Sequence, residues 1–263
     1  MATTTKPTLL IVHGGWHVPD NYVKLTSALR SAGFEVHLPR HPSVNESRPP
    51  NADLASDSAQ IRYYATSLVE AGRDVAVLMH SYGGQAGTNA LYGLSKKARS
   101  AKGLPGGITH LIYMTAFALP EGKSMVDKVD EFGHMDRMSV AFDFAEDHSC
   151  VPNYPKEGLI GEPYADHVDP EELKAYIASL VRWNGKCMQQ PIQNTPAWRD
   201  EVTICYIYTS GDLVVPVDYQ KSMVEYMERE GRTVQSVEVD TGHSPNLTAP
   251  KAVVDAVVSF TSE

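Results

Sequence analysis

The sequence predicts an α/β protein built on a doubly wound, mostly parallel sheet of about six strands. Three observations carry that expectation. Short runs that are apolar at every position, such as Leu9-Leu10-Ile11-Val12 and Val75-Ala76-Val77-Leu78, have the composition of strands buried on both faces. Amphipathic segments of helical period alternate with them, which is the spacing of βαβ units. The 263 residues, 42% of them hydrophobic, can build one sizeable core.

Taken in order, the first strand is expected over 9–12, stopping at His13-Gly14-Gly15-Trp16-His17. Asp20 stands where a helix N-cap is wanted, ahead of Tyr22, Leu25, Leu29 and Ala32 on one face and Gly33 as the stop. Residues 34–38 read as the next strand. Pro39, Pro42, Pro49 and Pro50 hold 39–51 in a loop. Leu54, Ile61, Tyr64 and Leu68 mark an amphipathic helix that closes at Gly72. A strand over 75–78 then ends abruptly in His80-Ser81-Tyr82-Gly83-Gly84, with a helix-compatible segment over 85–94 behind it. Residues 96–107, rich in Gly and Lys, read as a loop before a strand over 108–117.

From Leu119 the pattern breaks. Up to about residue 195 no strong strand is visible, and soft or aromatic side chains accumulate: Met125, Phe132, Met135, Met138, Phe142, Phe144, Trp183 and Met188. Asp169-Pro170-Glu171-Glu172 starts a helix with Leu173, Ile177 and Leu180 along one face. We read 119–195 as an inserted helical lid and 1–263 as one domain. The sheet pattern resumes at 202–208 and ends in Thr209-Ser210-Gly211-Asp212. A helix over 216–230, a strand over 234–239, the turn Gly242-His243-Ser244-Pro245 and a closing helix over 250–260 complete the chain.

Composition narrows the function. Net charge is −9, with no basic patch to release counterions from a phosphate backbone, which argues against nucleic acid. No apolar stretch approaches the ~20 residues that span a bilayer, so no membrane partner is expected. Cys150, Cys187 and Cys205 are sparse and lack paired metal spacing, the pattern of a reducing compartment. Residues 1–7 carry no signal-peptide pattern, and a cytoplasmic location follows as an expectation. No metal and no cofactor are expected.

Ligands of open parallel sheets bind beyond the carboxyl ends of the strands. Four of the expected strand ends carry His13-Gly14-Gly15, Ser81, Asp212 and His243. A serine on a sharp strand-to-helix turn is exposed at the N-terminus of the following helix, where unpaired N–H groups and the helix dipole favour an anion. The hydroxyl needs a neighbouring imidazole to take its proton, and that imidazole needs a carboxylate to fix its tautomer. Ser81, Asp212 and His243 supply those groups in the order Ser, Asp, His. The backbone N–H groups of Tyr82 and Gly15 are the expected oxyanion donors. Blander readings stand beside each: Gly211-Asp212 as a plain turn, Gly242-His243 as a surface loop, His13 as a structural histidine. His80 and His17 rival His243 as the base, but His80 adjoins the serine in a turn that points the two side chains apart. Trp16, His17, Phe142 and Met188 are candidates to line the pocket.

These motifs resemble those of the α/β-hydrolases, specifically the compact branch with plant methylesterases, hydroxynitrile lyases and related bacterial and fungal esterases. The residues that carry the likeness are Val12-His13-Gly14-Gly15, His80-Ser81-Tyr82-Gly83-Gly84, Asp212 followed by Pro216, and Gly242-His243 followed by Pro250. It covers the core, 7–118 and 196–263, and matches the lid loosely. One departure is Met79, where the usual G-x-S-x-G has glycine, so a side chain must find room beside the turn. Within the branch, hydroxynitrile lyases place a lysine after the catalytic histidine and a threonine in the oxyanion loop. Ser244 and Gly14 stand at those positions, which favours hydrolysis. The resemblance thus implies a serine hydrolase of a small to medium, largely apolar carboxylic ester or lactone, working through an acyl-enzyme. A C–C bond hydrolase or lyase of a secondary-metabolite pathway remains open, as does a ligand-binding receptor on the same scaffold.

Overall fold

The computed structural model of the protein describes residues 6–262. Residues 1–5, on which the expected absence of a signal peptide partly rests, lie outside the described residues. The first half of the chain forms β1 (Thr8–Val12), α1 (Val23–Ser31), β2 (Val36–His37), α2 (Leu54–Glu70), β3 (Asp74–His80), α3 (Tyr82–Ala90), α4 (Lys96–Ser100) and β4 (Gly107–Met114). The middle forms α5 (Met125–Glu131), α6 (Met138–Ala141), β5 (Phe142–Phe144), β6 (Ser149–Pro152), α7 (Glu162–Ala165), α8 (Pro170–Ala178) and β7 (Trp183–Asn184). The chain closes with β8 (Thr203–Thr209), α9 (Val217–Arg229), β9 (Val234–Val239), α10 (Pro245–Thr248) and α11 (Pro250–Phe260).

Six strands pair in parallel in the order β2-β1-β3-β4-β8-β9, the doubly wound sheet expected from the sequence. The fully apolar strand runs are explained by its two covered faces. Leu10, Val12, Val77, Met79, Leu111 and Tyr113 point into one core with α2, α3 and α9. Leu9, Ile11, Ala76, Leu78, Ile112 and Met114 point into the other, against α1 and α11. Alternation of period two divides each strand between the cores. Pairing of Val12 with Met79, His80 with Met114 and Thr209 with Val239 aligns the carboxyl ends along one edge.

Several local expectations are corrected. Asp20 does not cap α1; a short 3-10 turn over Pro19–Tyr22 precedes the helix, and the Asn21 side chain accepts from Val18 N–H instead. The expected loop over 96–107 contains α4, whose Ser95 hydroxyl accepts from the Ala98 N–H. The helix behind Ser81 starts at Tyr82, not at residue 85. The segment between β4 and β8 holds helices, as expected, and also a small antiparallel sheet in the order β5-β6-β7 that the sequence did not announce. Its strands have three, four and two residues, too short for a visible alternation.

Candidate active site

Ser81 sits between β3 and α3 with φ +54° and ψ −124°. That region is sparsely populated for a side-chain-bearing residue and costs ~1–3 kcal/mol, so the surroundings must enforce it. They do so by close approach. A Cβ on Gly83 would stand 2.1 Å from the Val12 carbonyl oxygen, and one on Gly84 would stand 2.8 Å from Ala116 Cβ. The two glycines let the turn press between the ends of β1 and β4. Met79 finds its room at Gly87, where a Cβ would lie 2.5 Å from the Met79 sulfur. The bulk added on the strand is matched by bulk absent from the helix.

Ser81, His243 and Asp212 come together. The Ser81 Oγ lies 2.8 Å from His243 Nε2, and His243 Nδ1 lies 2.7 Å from Asp212 Oδ2. All three side chains are buried. A carboxylate is an acceptor, so Nδ1 carries the proton and Nε2 is left to accept from the serine hydroxyl. Asp212 is held in turn by the backbone N–H groups of Val214 and Val215, each at 2.8 Å, and by the hydroxyls of Thr115 and Thr209. Gln220 fixes Thr209 through bonds to its N–H, carbonyl and hydroxyl. Thr115 and Gln220 escape sequence reading because no motif marks them. Thr115 has φ +41°, and Trp16 has φ +62°. With Ser81, they put left-handed backbone at the ends of β1, β3 and β4, where strain gathers at functional sites.

The rival histidines have different work. His80 Nε2 meets the backbone carbonyl of His243 at 2.8 Å, so it must donate there, and its Nδ1 accepts from the Tyr22 hydroxyl at 2.6 Å. Tyr22 itself accepts from the Gly14 N–H at 3.1 Å. His17 repeats the pattern: Nδ1 donates to the Gly15 carbonyl at 2.7 Å, and Nε2 accepts from the Tyr176 hydroxyl at 2.8 Å. His13 Nδ1 donates to the Gly14 carbonyl at 2.8 Å. Burial lowers the pKa of each of these imidazoles, that of His17 to about 3. They are neutral braces on the loop after β1 and on His243.

Gly15, Ser81 and Tyr82 are walls of one cavity. Tyr82 is the first residue of α3, where the helix offers its N–H no partner. Gly15 lies under the Trp183 indole, and a Cβ there would come within 2.7 Å of the ring. A cavity of about 40 Å³ adjoins Ser81, with Trp16, Phe117, Met125, Phe142, Met188 and Val214 among its walls. Trp16, Phe142 and Met188 thus face the pocket. His17 does not: the correction follows from its two hydrogen bonds, which turn its ring behind the loop toward Tyr176. A further group missed in the sequence is Asp57 on α2, fully buried, which accepts from the Ser43 N–H and hydroxyl and from the Tyr82 hydroxyl at 2.6 Å. Trp183 Nε1 donates to the same Ser43 hydroxyl at 3.0 Å, joining the roof over Gly15 to the base of Tyr82.

This fold and this arrangement of side chains define a class. The chain belongs to the alpha/beta hydrolase family, whose model matches residues 9–256. It is 25% identical to the probable hydrolase R7 of Phoma sp., over 97% of this chain and 98% of that protein. It is 28% identical to the alpha/beta hydrolase nvfD of Aspergillus novofumigatus, over 98% of both. Among solved structures, polyneuridine aldehyde esterase superposes with a TM-score of 0.75 at 19% identity, over 98% of this chain and 100% of that one. That likeness is one of fold. Among the described residues no helix is long and apolar enough to cross a membrane.

Proposed function

We propose that the protein is a serine hydrolase of small to medium, largely apolar carboxylic esters or lactones. The observation that carries this reading is the continuous Ser81–His243–Asp212 hydrogen-bond chain at the strained turn. In the mechanism it supports, His243 Nε2 takes the Ser81 proton as Oγ bonds to the carbonyl carbon. The carbonyl oxygen becomes an oxyanion facing the N–H groups of Gly15 and Tyr82. Collapse breaks the ester C–O bond, and the proton on Nε2 passes to the departing alkoxide. A water then gives its proton to Nε2, attacks the acyl-Ser81 carbon, and releases the acid as Ser81 recovers its proton. No redox partner is needed. Asp212, saturated with donors, stabilises the imidazolium without taking a proton.

Two further observations favour hydrolysis over cyanohydrin cleavage. Gly14 puts no side chain beside Ser81, since even a Cβ there would be 3.1 Å from Ser81 Cβ. The Ser244 hydroxyl donates to the Leu159 carbonyl at 3.1 Å, which ties it away from the reacting atoms. In the same reading, residues 119–195 act as a lid over the core segments 7–118 and 196–263, giving the pocket Met125, Phe142, Trp183 and Met188. The description of the Phoma relative as a hydrolase is in keeping with it. The sparse, buried cysteines fit a cytosolic site of action.

The test is turnover of a panel of p-nitrophenyl esters, methyl esters and lactones by the wild type and by Ser81→Ala. The reading predicts a loss of at least ~10⁴-fold in kcat on substitution. Full turnover by Ser81→Ala would overturn the nucleophile.

A further inference from the structure

We infer that the substrate is an ester of a small acyl group with a larger apolar alcohol, and that the alcohol lies in a second, outer groove. This rests on the serine-hydrolase reading and adds to it which arm of the ester goes where.

The cavity against Ser81 is small. At about 40 Å³ it is much the smaller of the two spaces beside the site, which suits a short acyl unit such as acetyl or propionyl. Beside it opens a groove of about 350 Å³, and Phe142 and Val214 are walls of both. The groove carries Val140, Tyr154 and Leu213, which are 63%, 61% and 69% exposed. Single apolar side chains on a surface need no explanation, but three gathered at the mouth of a reactive cavity do. The charged residues on its rim, Asp136, Arg137 and Glu157, are of both signs, which suits a neutral occupant.

The orientation follows from the chemistry of the acid step. The proton on His243 Nε2 must reach the departing alkoxide oxygen, so the alcohol points to the side of His243. The outer groove is built on that side. Among the walls it does not share with the inner cavity, Leu213 directly follows Asp212, and Leu159 accepts from the hydroxyl of Ser244, the residue next to His243. The walls that belong to the inner cavity alone include Gly15, Trp16, Tyr82 and Trp183, on the oxyanion side. The acyl group therefore goes inward and the alcohol outward. Covering about 55 Å² of apolar surface corresponds to about a tenfold gain, so a six-carbon alcohol in the groove has a readable effect.

The experiment compares kcat/KM for ethyl acetate, hexyl acetate and hexyl hexanoate, in the wild type and in Val140→Ser/Leu213→Ser, with the thermal midpoint as the control for folding. The expected result is a rise of at least tenfold from ethyl to hexyl acetate and a fall of at least tenfold from hexyl acetate to hexyl hexanoate. In the double variant the hexyl-to-ethyl acetate ratio should drop at least fivefold, since both side chains are exposed and their loss leaves the cores intact. A preference for the long acyl chain, or an unchanged ratio in the variant, overturns the inference. If those results come with turnover that depends on Ser81, the hydrolase reading survives alone. A wild type that cleaves no ester sinks both.

Discussion

Tyr82 serves the site with two different atoms. Its backbone N–H is the oxyanion donor in the proposed mechanism, and its hydroxyl donates to Asp57 at 2.6 Å. Asp57 is a buried carboxylate that accepts from Ser43 and Tyr82, with no cation against it among the described residues. Burial, foremost, pushes the Tyr82 phenol well above its ordinary pKa, which keeps the donor proton in place. Tyr82→Phe should therefore cost ~1–3 kcal/mol in unfolding free energy, because Asp57 loses a donor it cannot replace from water. Turnover should fall far less than on loss of Ser81, since the N–H remains. Urea unfolding and ester kinetics on the same sample check both parts; an unchanged midpoint contradicts the role given to Asp57. Ser81, Asp212 and His243 were legible because each follows the end of a strand that the sequence pattern marks. Asp57, Thr115 and Gln220 were not, because they reach the site through space and no local pattern distinguishes them from their neighbours.

At the scale of elements, α8 is fastened to the loop after β1. Tyr176 donates to His17, which donates to the Gly15 carbonyl, and Asn246 of α10 supplies the Tyr176 oxygen at 3.2 Å. Asn21 donates to the Tyr176 carbonyl and to the Ser179 hydroxyl, while the Val181 N–H donates to the Trp16 carbonyl. Helix α8 and the loop after β1 are thereby one hydrogen-bonded unit. Tyr176→Phe leaves the ring packing but removes the hydroxyl between Asn246 and His17. The expected outcome is a kcat about three- to tenfold lower with KM little changed, as the Gly15 N–H loses its exact aim more than the pocket loses its shape. An equal rise in KM with kcat intact would point to the pocket instead. The helices of this region were readable where a cap and a period coincide, as at Asp169 and Pro170 of α8. The strands β5, β6 and β7 were not, since pairing partners and not periodicity define strands that short.

For the molecule as a whole, the buried histidines set the response to acid. His13, His17, His41 and His80 are all buried, and burial lowers the pKa of each. In the unfolded chain each titrates near ~6.5. For His17, with a folded value of about 3, the unfolded state binds more protons between pH 6.5 and 3, so stability falls with falling pH across that window. The other three act in the same direction from the same upper limit. Each contributes a slope of up to ~1.4 kcal/mol per pH unit. The thermal midpoint should hold above pH 7 and drop steeply from pH 6.5 to 5; a flat profile contradicts the neutral-brace assignment. The parallel sheet was legible because its central strands carry apolar runs buried on both faces, and its edge of strand ends located the site.

The central claim, that Ser81 is an activated nucleophile, is tested most directly by covalent labelling. Wild-type protein is treated with a fluorophosphonate at neutral pH, and the intact mass and the tryptic peptides are measured. One phosphonyl adduct is expected, on the Ser81 hydroxyl, abolished by Ser81→Ala and strongly slowed by His243→Ala. Absence of an adduct on the folded wild type, or an adduct that persists in Ser81→Ala, would contradict it.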